Sequence, residues 1–281
     1  AYEAATADLK DLNAIDPFHK KTYGADAVNY NRDIENFHIL TSLMKKISGE
    51  ENPFEYKSPT DMGVNTAAIG IIDDKACQNA SKQEIIRRYF RYYREKVEGI
   101  ETQDTLDRMK IIMGKAGVKP EDRKVVKAAR KAAKDAKNGK GFDNIFCGAA
   151  IQLDNKIITG KNSPLFHAES AAILNAVKEL SGIPDKIDLI SPEVLESITK
   201  MKKDLLNKKT PCLDVSETLV ALAMSSTTNP TAKIALGKLK NLEGCEMHVT
   251  HLPKPGDENG IMRLNINITT DAKISSIPYF Q

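Results

Sequence analysis

The chain has 281 residues, of which 41% are hydrophobic and 28% charged, and its formal net charge is +3 at pH 7. Length and composition fit one large or two ordinary folded domains, well away from disorder. A net charge this small is no argument for nucleic acid, and no apolar run approaches the ~20 residues of a membrane helix. Cys77, Cys147, Cys212 and Cys245 form neither a Cys-x-x-Cys pair nor a disulfide framework, which fits a cytoplasmic location. There is no signal peptide, and the start at Ala1 rather than Met predicts a fragment or processed half of something longer.

Residues 1–57 alternate helical pieces with turns, and Ile34, Phe37, Leu40, Met44 and Ile47 mark one face of a helix over 31–47. Ser58, Thr60, Asp61 and Asn65 then crowd a turn-rich stretch with small polar groups, which present side-chain oxygens and backbone amides to a ligand. The apolar run at 67–72 reads as strand or buried helix. Residues 75–140 read as a helical subdomain. In it Ile85, Ile86, Tyr89, Tyr93 and Val97 line one face, and Arg87, Arg91 and Arg94 lie off it. Arginines interleaved with aromatics can serve phosphates or stacked bases, but such a pattern is more often a core stripe bordered by snorkelling side chains. A Lys-rich helix over 120–137 follows, with Val125, Ala129, Ala132 and Ala136 as a narrow buried stripe. Between Lys119 and Lys140 nine basic residues face three acidic ones, which reads as a solvated face before a partner surface. Residues 138–141 form a linker.

The stretch 144–190 carries the densest chemistry. Residues 145–153 and 156–160 read as a hairpin turned by Asp154-Asn155. A helix with Ala171, Leu174, Val177 and Leu180 as its buried stripe follows, stopped by Gly182 and Pro184, and 187–190 reads as a short strand. Beyond it come a charged helix over 192–206, a helix capped by Ser216, and a helix opened by Asn229-Pro230. Two closing strands, 245–252 and 262–268, flank a polar exposed loop at 253–260. His248 and His251, three residues apart on a strand, face opposite ways and make a poor ligand pair. Thr159-Gly160-Lys161-Asn162-Ser163 has only the tail of a phosphate loop, although a Gly-Lys before a helix start can hold an anion, so Lys161 is kept as a ligand-binding candidate.

At the first turn of the helix after the hairpin stand His167-Ala168-Glu169. This resembles the signature of the zinc-dependent cytidine-deaminase fold, in which such a His binds zinc and the Glu moves protons for the zinc-bound water. The resemblance implies catalytic roles for His167 and Glu169. Its second half, Pro-Cys-x-x-Cys, is incomplete: Pro211 and Cys212 are present, but Val215 stands where the second thiolate belongs. Cys212, with Asp214 as a rescue ligand, leaves the metal set too poor for catalytic zinc, so zinc is not expected. On the blander reading, Glu169 only complements the helix dipole.

The runs AYEAATADL, IDPFHKKTYG, NYNRDIENF, SPTDMGVN and SKQEIIRRY resemble one bacterial family, catalogued as domain of unknown function 1846 (uncharacterised protein family 0371). The likeness is to its C-terminal half and covers nearly the whole chain. It implies a cytoplasmic protein about twice as long, an absent N-terminal half with a phosphate-loop-like segment, a deaminase-like topology here, and no established activity. Family members have been labelled zinc proteases, but none of the five histidines here lies in a His-Glu-x-x-His pattern. The His167 and Glu169 pair also departs from relatives that lack it.

The fold class expected is α/β (α+β overall): a mixed region over 1–74, a helical subdomain over 75–140, and a three-layer α/β/α cytidine-deaminase-like domain over 141–281. The function expected is part of a hydrolase or transferase acting on a nucleotide or nucleotide-like ligand at an interdomain cleft, with ATP or another nucleotide as ligand of the longer protein. Its own N-terminal half and a second copy are the expected partners, with no membrane and no nucleic acid. The competing reading is a non-catalytic oligomerisation scaffold on a degenerate deaminase-like fold.

Overall fold

The computed structural model describes residues 43, 45–49, 74–137, 141–208 and 210–274. The expected ligand turn with Ser58, Thr60, Asp61 and Asn65, the apolar run at 67–72 and most of the helix expected over 31–47 lie outside the described residues. The chain divides into two compact units, residues 1–120 and 121–281.

In the first unit, α1 (Asp74–Val97) packs with α2 (Gln103–Ala116). Thr102 caps α2 by accepting from the Thr105 N–H, and Gly117 ends it at φ 64°, a left-handed stop that glycine adopts without a Cβ penalty. Among the described residues of α1, Ile85, Ile86, Arg88 and Phe90 are buried, whereas Tyr89 and Tyr93 are half-buried and Val97 is exposed. The arginines are engaged locally. Arg87 pairs with Glu84 at 2.9 Å, Arg94 with Glu98 at 2.7 Å, and Arg88 and Arg91 lie over the Tyr92 ring.

The second unit is built on a four-stranded sheet of β1 (Gly148–Leu153), β2 (Lys156–Lys161), β3 (Glu246–Val249) and β4 (Asn267–Thr270), in the order β2-β1-β3-β4. β1 runs antiparallel to both β2 and β3, and β3 runs parallel to β4. The hairpin forms as its sequence predicts: Leu153 pairs with Lys156, and Asp154 takes the left-handed conformation at φ 47°. Because side chains alternate along a strand, the two faces of β1 are covered separately. Ala150 meets Val125 and Ala129 of α3 (Lys124–Ala136), while Ala149, Ile151 and Leu153 enter the main core with Ala168, Ala172, Ile173, Ala176 and Val177 of α4 (Ala168–Ser181). The Lys-rich helix, grouped with the preceding helices on its sequence, is thus a layer on the sheet.

Two glycines set how close those layers come. A Cβ on Gly148 would strike the α3 backbone at Ala129 and Ala133, and one on Gly160 would strike the α4 backbone at Ala168 and Ala172. This close fit explains why the most buried face of α4 is its alanine row, while Ala171 and Leu174 turn toward a groove of about 840 Å³ beside α5 (Pro192–Lys200). It also shows that Gly160 and Lys161 belong to a strand rather than to a phosphate loop.

Three other expectations give way. Residues 187–190 form bends, with Leu189 and Ile190 buried, and not a strand. The helix α6 (Val215–Ser225) is capped by Asp214 and not by Ser216: Asp214 accepts from the Glu217 N–H while the Glu217 carboxylate accepts from the Asp214 N–H, a reciprocal capping box. α7 (Pro230–Gly237) starts at its Asn-Pro as read. The expected loop at 253–260 is instead α8 (Pro255–Arg263), with Pro at its start and two acids in its first turn. α8 buries Asp257, Gly260 and Ile261, and it displaces the last strand to β4, leaving Met262 exposed on the helix.

Around β3 and β4 lies a buried polar network. The Arg123 guanidinium, 1% exposed, donates to Thr269 Oγ1, to the carbonyls of Met247 and Asn267, and to Glu246. Arg130 forms a two-pronged pair with Asp271 at 2.7 and 3.0 Å, and His248 Nε2 lies 3.5 Å from the same carboxylate. Among the described residues no helix is long and apolar enough to cross a membrane.

Candidate functional site

A pocket of about 50 Å³ opens where β1, β2 and the start of α4 meet the segments before α6 and α8. Phe142, Cys147, His167, Cys212, His251 and Lys254 are among its lining residues. His167 is the N-cap residue of α4, and no side chain caps that helix. Its first-turn N–H groups and positive dipole end therefore lie beside the pocket, which Ala168 also lines.

Each pocket imidazole is backed by a buried carboxylate. His167 Nδ1 lies 2.7 Å from Asp257 Oδ2, and the other Asp257 oxygen accepts from the Val215 N–H, which fixes the acid on α8 against the start of α6. His251 Nε2 stands 3.1 Å from Glu169 Oε1. Glu169 is fully buried, and neither of its carboxylate oxygens, nor the Nδ1 of His251, has a hydrogen-bond partner among the described residues.

The charges of the four groups are linked. Burial alone would raise the Glu169 carboxyl, but the His251 charge, its hydrogen bond and then His167 outweigh burial and hold it low. Burial would likewise depress His251. The Glu169 charge first and the Cys147 thiol next override that, and the imidazole sits well above the ordinary histidine value. Asp257 goes the other way, pushed up to about 6 by burial and by the Glu169 charge, against the opposing pull of His167. Two carboxylates near one another in a dry site cannot both ionise freely, and the one with the stronger cation keeps its charge.

The expected site residues are thus partly gathered. His167 and Cys212 line one pocket, with Glu169 directly behind it through His251. Lys161 ends β2 opposite Gly148 and does not line the pocket. Asp214 is committed to the α6 cap and stands over Gly256, while Val215 packs on Gly260. The donors do not fit a catalytic zinc: Asp214 is committed to a cap, Val215 stands where a second thiolate belongs, and among the described residues no group of three or more His, Cys, Asp or Glu is arranged to hold a metal ion.

Cys147, His251 and Asp257 are the residues that the sequence reading missed. His251 was weighed only as a partner of His248, and the two in fact turn to different carboxylates, Glu169 and Asp271. Asp257 was hidden in a presumed loop, although Pro255 followed by Asp257 and Glu258 is a helix-start pattern.

Comparison with known proteins places the chain. Residues 121–280 match the model for "Domain of unknown function DUF1846, C-terminal", and residues 1–117 match that for "Domain of unknown function DUF1846, N-terminal". The expectation of a C-terminal half alone is therefore corrected, since both domain models match, and they meet where the two compact units divide. A UPF0371 protein of Clostridium tetani is 47% identical over 277 residues, 98% of this chain and 55% of its own length. One of Fusobacterium nucleatum is 48% identical over 278 residues, 96% of this chain and 54% of its own. The chain spans about half the length of these relatives. With both domain models and relatives at this identity in agreement, the chain belongs to the DUF1846 family, the UPF0371 proteins.

Proposed function

We propose that the second unit is the chemistry-bearing part of an enzyme, a hydrolase or transferase working by general acid–base catalysis at the pocket between His167 and His251. One observation carries this reading: two imidazoles from separate elements line a single pocket of about 50 Å³, and each is held from behind by a buried carboxylate. A carboxylate on one ring nitrogen fixes the tautomer and aims the other nitrogen, which is how histidine is prepared for proton transfer. Glu169 acts in this scheme through His251 and not by direct contact with a ligand. Burying four ionisable groups together is a poor way to gain stability alone, because their desolvation offsets much of their attraction.

The ligand class is a nucleotide or nucleotide-like molecule, presented to His167 and His251. A cytidine-deaminase-like descent is supported by the hairpin feeding a helix that opens on His167 and Glu169, and by the parallel bridge of Phe166 to Leu213 that brings Cys212 alongside. The committed Asp214 and the apolar Val215 speak for a site that has left zinc chemistry behind.

The test is turnover of a panel of nucleosides and nucleotides by the whole protein, beside His167→Gln and Glu169→Gln. The expected result is product formed by the parent and lost by at least tenfold in both variants, with circular dichroism unchanged. Equal turnover in all three proteins would leave these groups a structural role and favour the scaffold reading.

A further inference from the structure

We propose that Cys147 is a nucleophile of this site, so that the enzyme works through a covalent thioester on a short acyl ester carried by its nucleotide-like ligand. The proposal rests on the acid–base reading above and deepens it. Cys147 immediately precedes β1, lines the pocket, and is 6% exposed. Its backbone N–H is held by Asn162 Oδ1 at 2.8 Å, and Asn162 in turn donates to the Ile145 carbonyl, so the residue is fixed at the pocket wall.

The independent observation is His251. Its ring lines the same pocket, its Nε2 stands 3.1 Å from Glu169 Oε1, and its Nδ1 is buried with no hydrogen-bond partner among the described residues. An unsatisfied ring nitrogen costs stability unless a bound group uses it. Gly148 and Thr250 bond to one another where β1 runs beside β3, the Gly148 N–H to Thr250 Oγ1 and the Thr250 N–H to the Gly148 carbonyl, which sets the neighbouring Cys147 and His251 side by side. Nucleophile, imidazole and orienting carboxylate therefore follow one another as Cys147, His251 and Glu169, the arrangement by which a weak nucleophile is activated. The uncapped start of α4 at Ala168 supplies backbone N–H groups toward the same pocket, where an oxyanion develops.

In the acylation step the Cys147 thiolate attacks the carbonyl carbon of an ester. The C–S bond forms, the bond to the leaving oxygen breaks, and the His251 imidazolium gives its Nδ1 proton to that oxygen. In the second step neutral His251 takes a proton from water as its oxygen attacks the thioester carbon. The C–S bond then breaks with its electron pair returning to sulfur, and the carboxylic acid leaves and ionises to solvent. Lys254 and Cys212 at the pocket wall bound the acyl group, and the small volume restricts it to short chains.

The experiment uses the whole protein with p-nitrophenyl acetate as the probe. Nitrophenolate release is followed over the first turnover, and acid-quenched protein is peptide-mapped by mass. The expected result is a burst of about one equivalent with one acetyl group on the peptide containing Cys147. It is absent in Cys147→Ser and slowed at least tenfold in His251→Gln and Glu169→Gln, while iodoacetamide labelling of Cys245 stays the same in all of them. Acetyl on Cys212 or Cys245 alone, or a burst undiminished in Cys147→Ser, overturns the proposal, as does an unacetylated Cys147 in protein whose circular dichroism is native. Nucleotide turnover separates the two readings. If His167→Gln abolishes turnover and Cys147→Ser leaves it unchanged, the nucleophile falls and the acid–base site stands; if neither variant alters turnover, both fall.

Discussion

The second unit holds two histidine–aspartate neighbourhoods a few residues apart in sequence, and their charges run in opposite directions. At His248 and Asp271, two arginines stand close by. His248 first and Arg130 next hold the Asp271 carboxyl far below its usual value, although burial opposes this, while burial and then the two arginines depress His248 against the pull of Asp271. At the pocket there is no arginine among the lining residues, and a second carboxylate, Glu169, takes that place. It lifts His251 well above the histidine value and, behind burial, lifts Asp257 to about 6. The same residue types thus carry opposite shifts in the two places. What differs is whether the third charge is a guanidinium, which cannot give up its proton, or a carboxylate, which competes for one.

The strongest way to break that comparison is to remove its arginine. Arg123→Ala removes the donor shared by Glu246, Thr269 Oγ1 and the carbonyls of Met247 and Asn267, and should cost about 3–5 kcal/mol of stability by urea denaturation. A loss below 1 kcal/mol would show the network to be dispensable.

The pH dependence of stability sharpens the comparison further. Asp257 is raised in the folded state, so folding favours its protonated form. Its contribution is present below about 3.8 and is lost as pH rises to about 6, on the order of 3 kcal/mol across that window. Asp257→Asn should remove this fall. Asp271 is lowered, so its contribution is present above about 3.8 and lost only below it, and Asp271→Asn should flatten the acid limb instead. The histidines repeat the opposition. Raised His251 stabilises below 6.5 and loses that as pH climbs past it, whereas lowered His248 costs stability below 6.5 and ceases to do so above. His251→Gln should therefore reduce the alkaline loss, read from urea midpoints between pH 6 and pH 9.

A milder break is Gly160→Ala, whose added methyl meets the α4 backbone and should cost roughly 1–3 kcal/mol. It displaces the helix that carries His167 and Glu169 while leaving the arginine network alone. The expected signature is loss of turnover with the Asp271 acid limb preserved. The smallest effect is expected at Lys156, whose pair with Glu179 is on the surface. Lys156→Ala should change stability by about 0–1 kcal/mol, and a larger loss would mean that surface pairs confuse the comparison.

Much of this architecture was legible in the sequence. The hairpin shows in Asp154-Asn155 between two apolar runs, and the stripe of α3 shows in Val125, Ala129, Ala132 and Ala136, all buried. Helix starts with an Asn-Pro or a Ser-Pro were equally clear at Asn229 and Ser191. What stayed hidden depends on tertiary contact. Leu174 and Val177 of the expected stripe are buried, but the alanine row of α4 at Ala168, Ala172 and Ala176 is buried because Gly160 lies against it, which no stripe of large residues announces. His167 and Glu169 stood out because they share one helical turn. Their partners lie 90 and 82 residues away on α8 and after β3, beyond the reach of any local spacing rule.

The two glycines of the hairpin carry a consequence for anyone who wants to rebuild the pocket. Because α4 rests on β2 through bare peptide, its depth is a fixed gauge, indifferent to the bulk of the core side chains around it. Wall residues such as Phe142, Ile145 and Thr210 can then be exchanged for larger or smaller ones to reshape the pocket. Throughout such a library His167 and Glu169 keep their calibration, and the hairpin serves as its datum line.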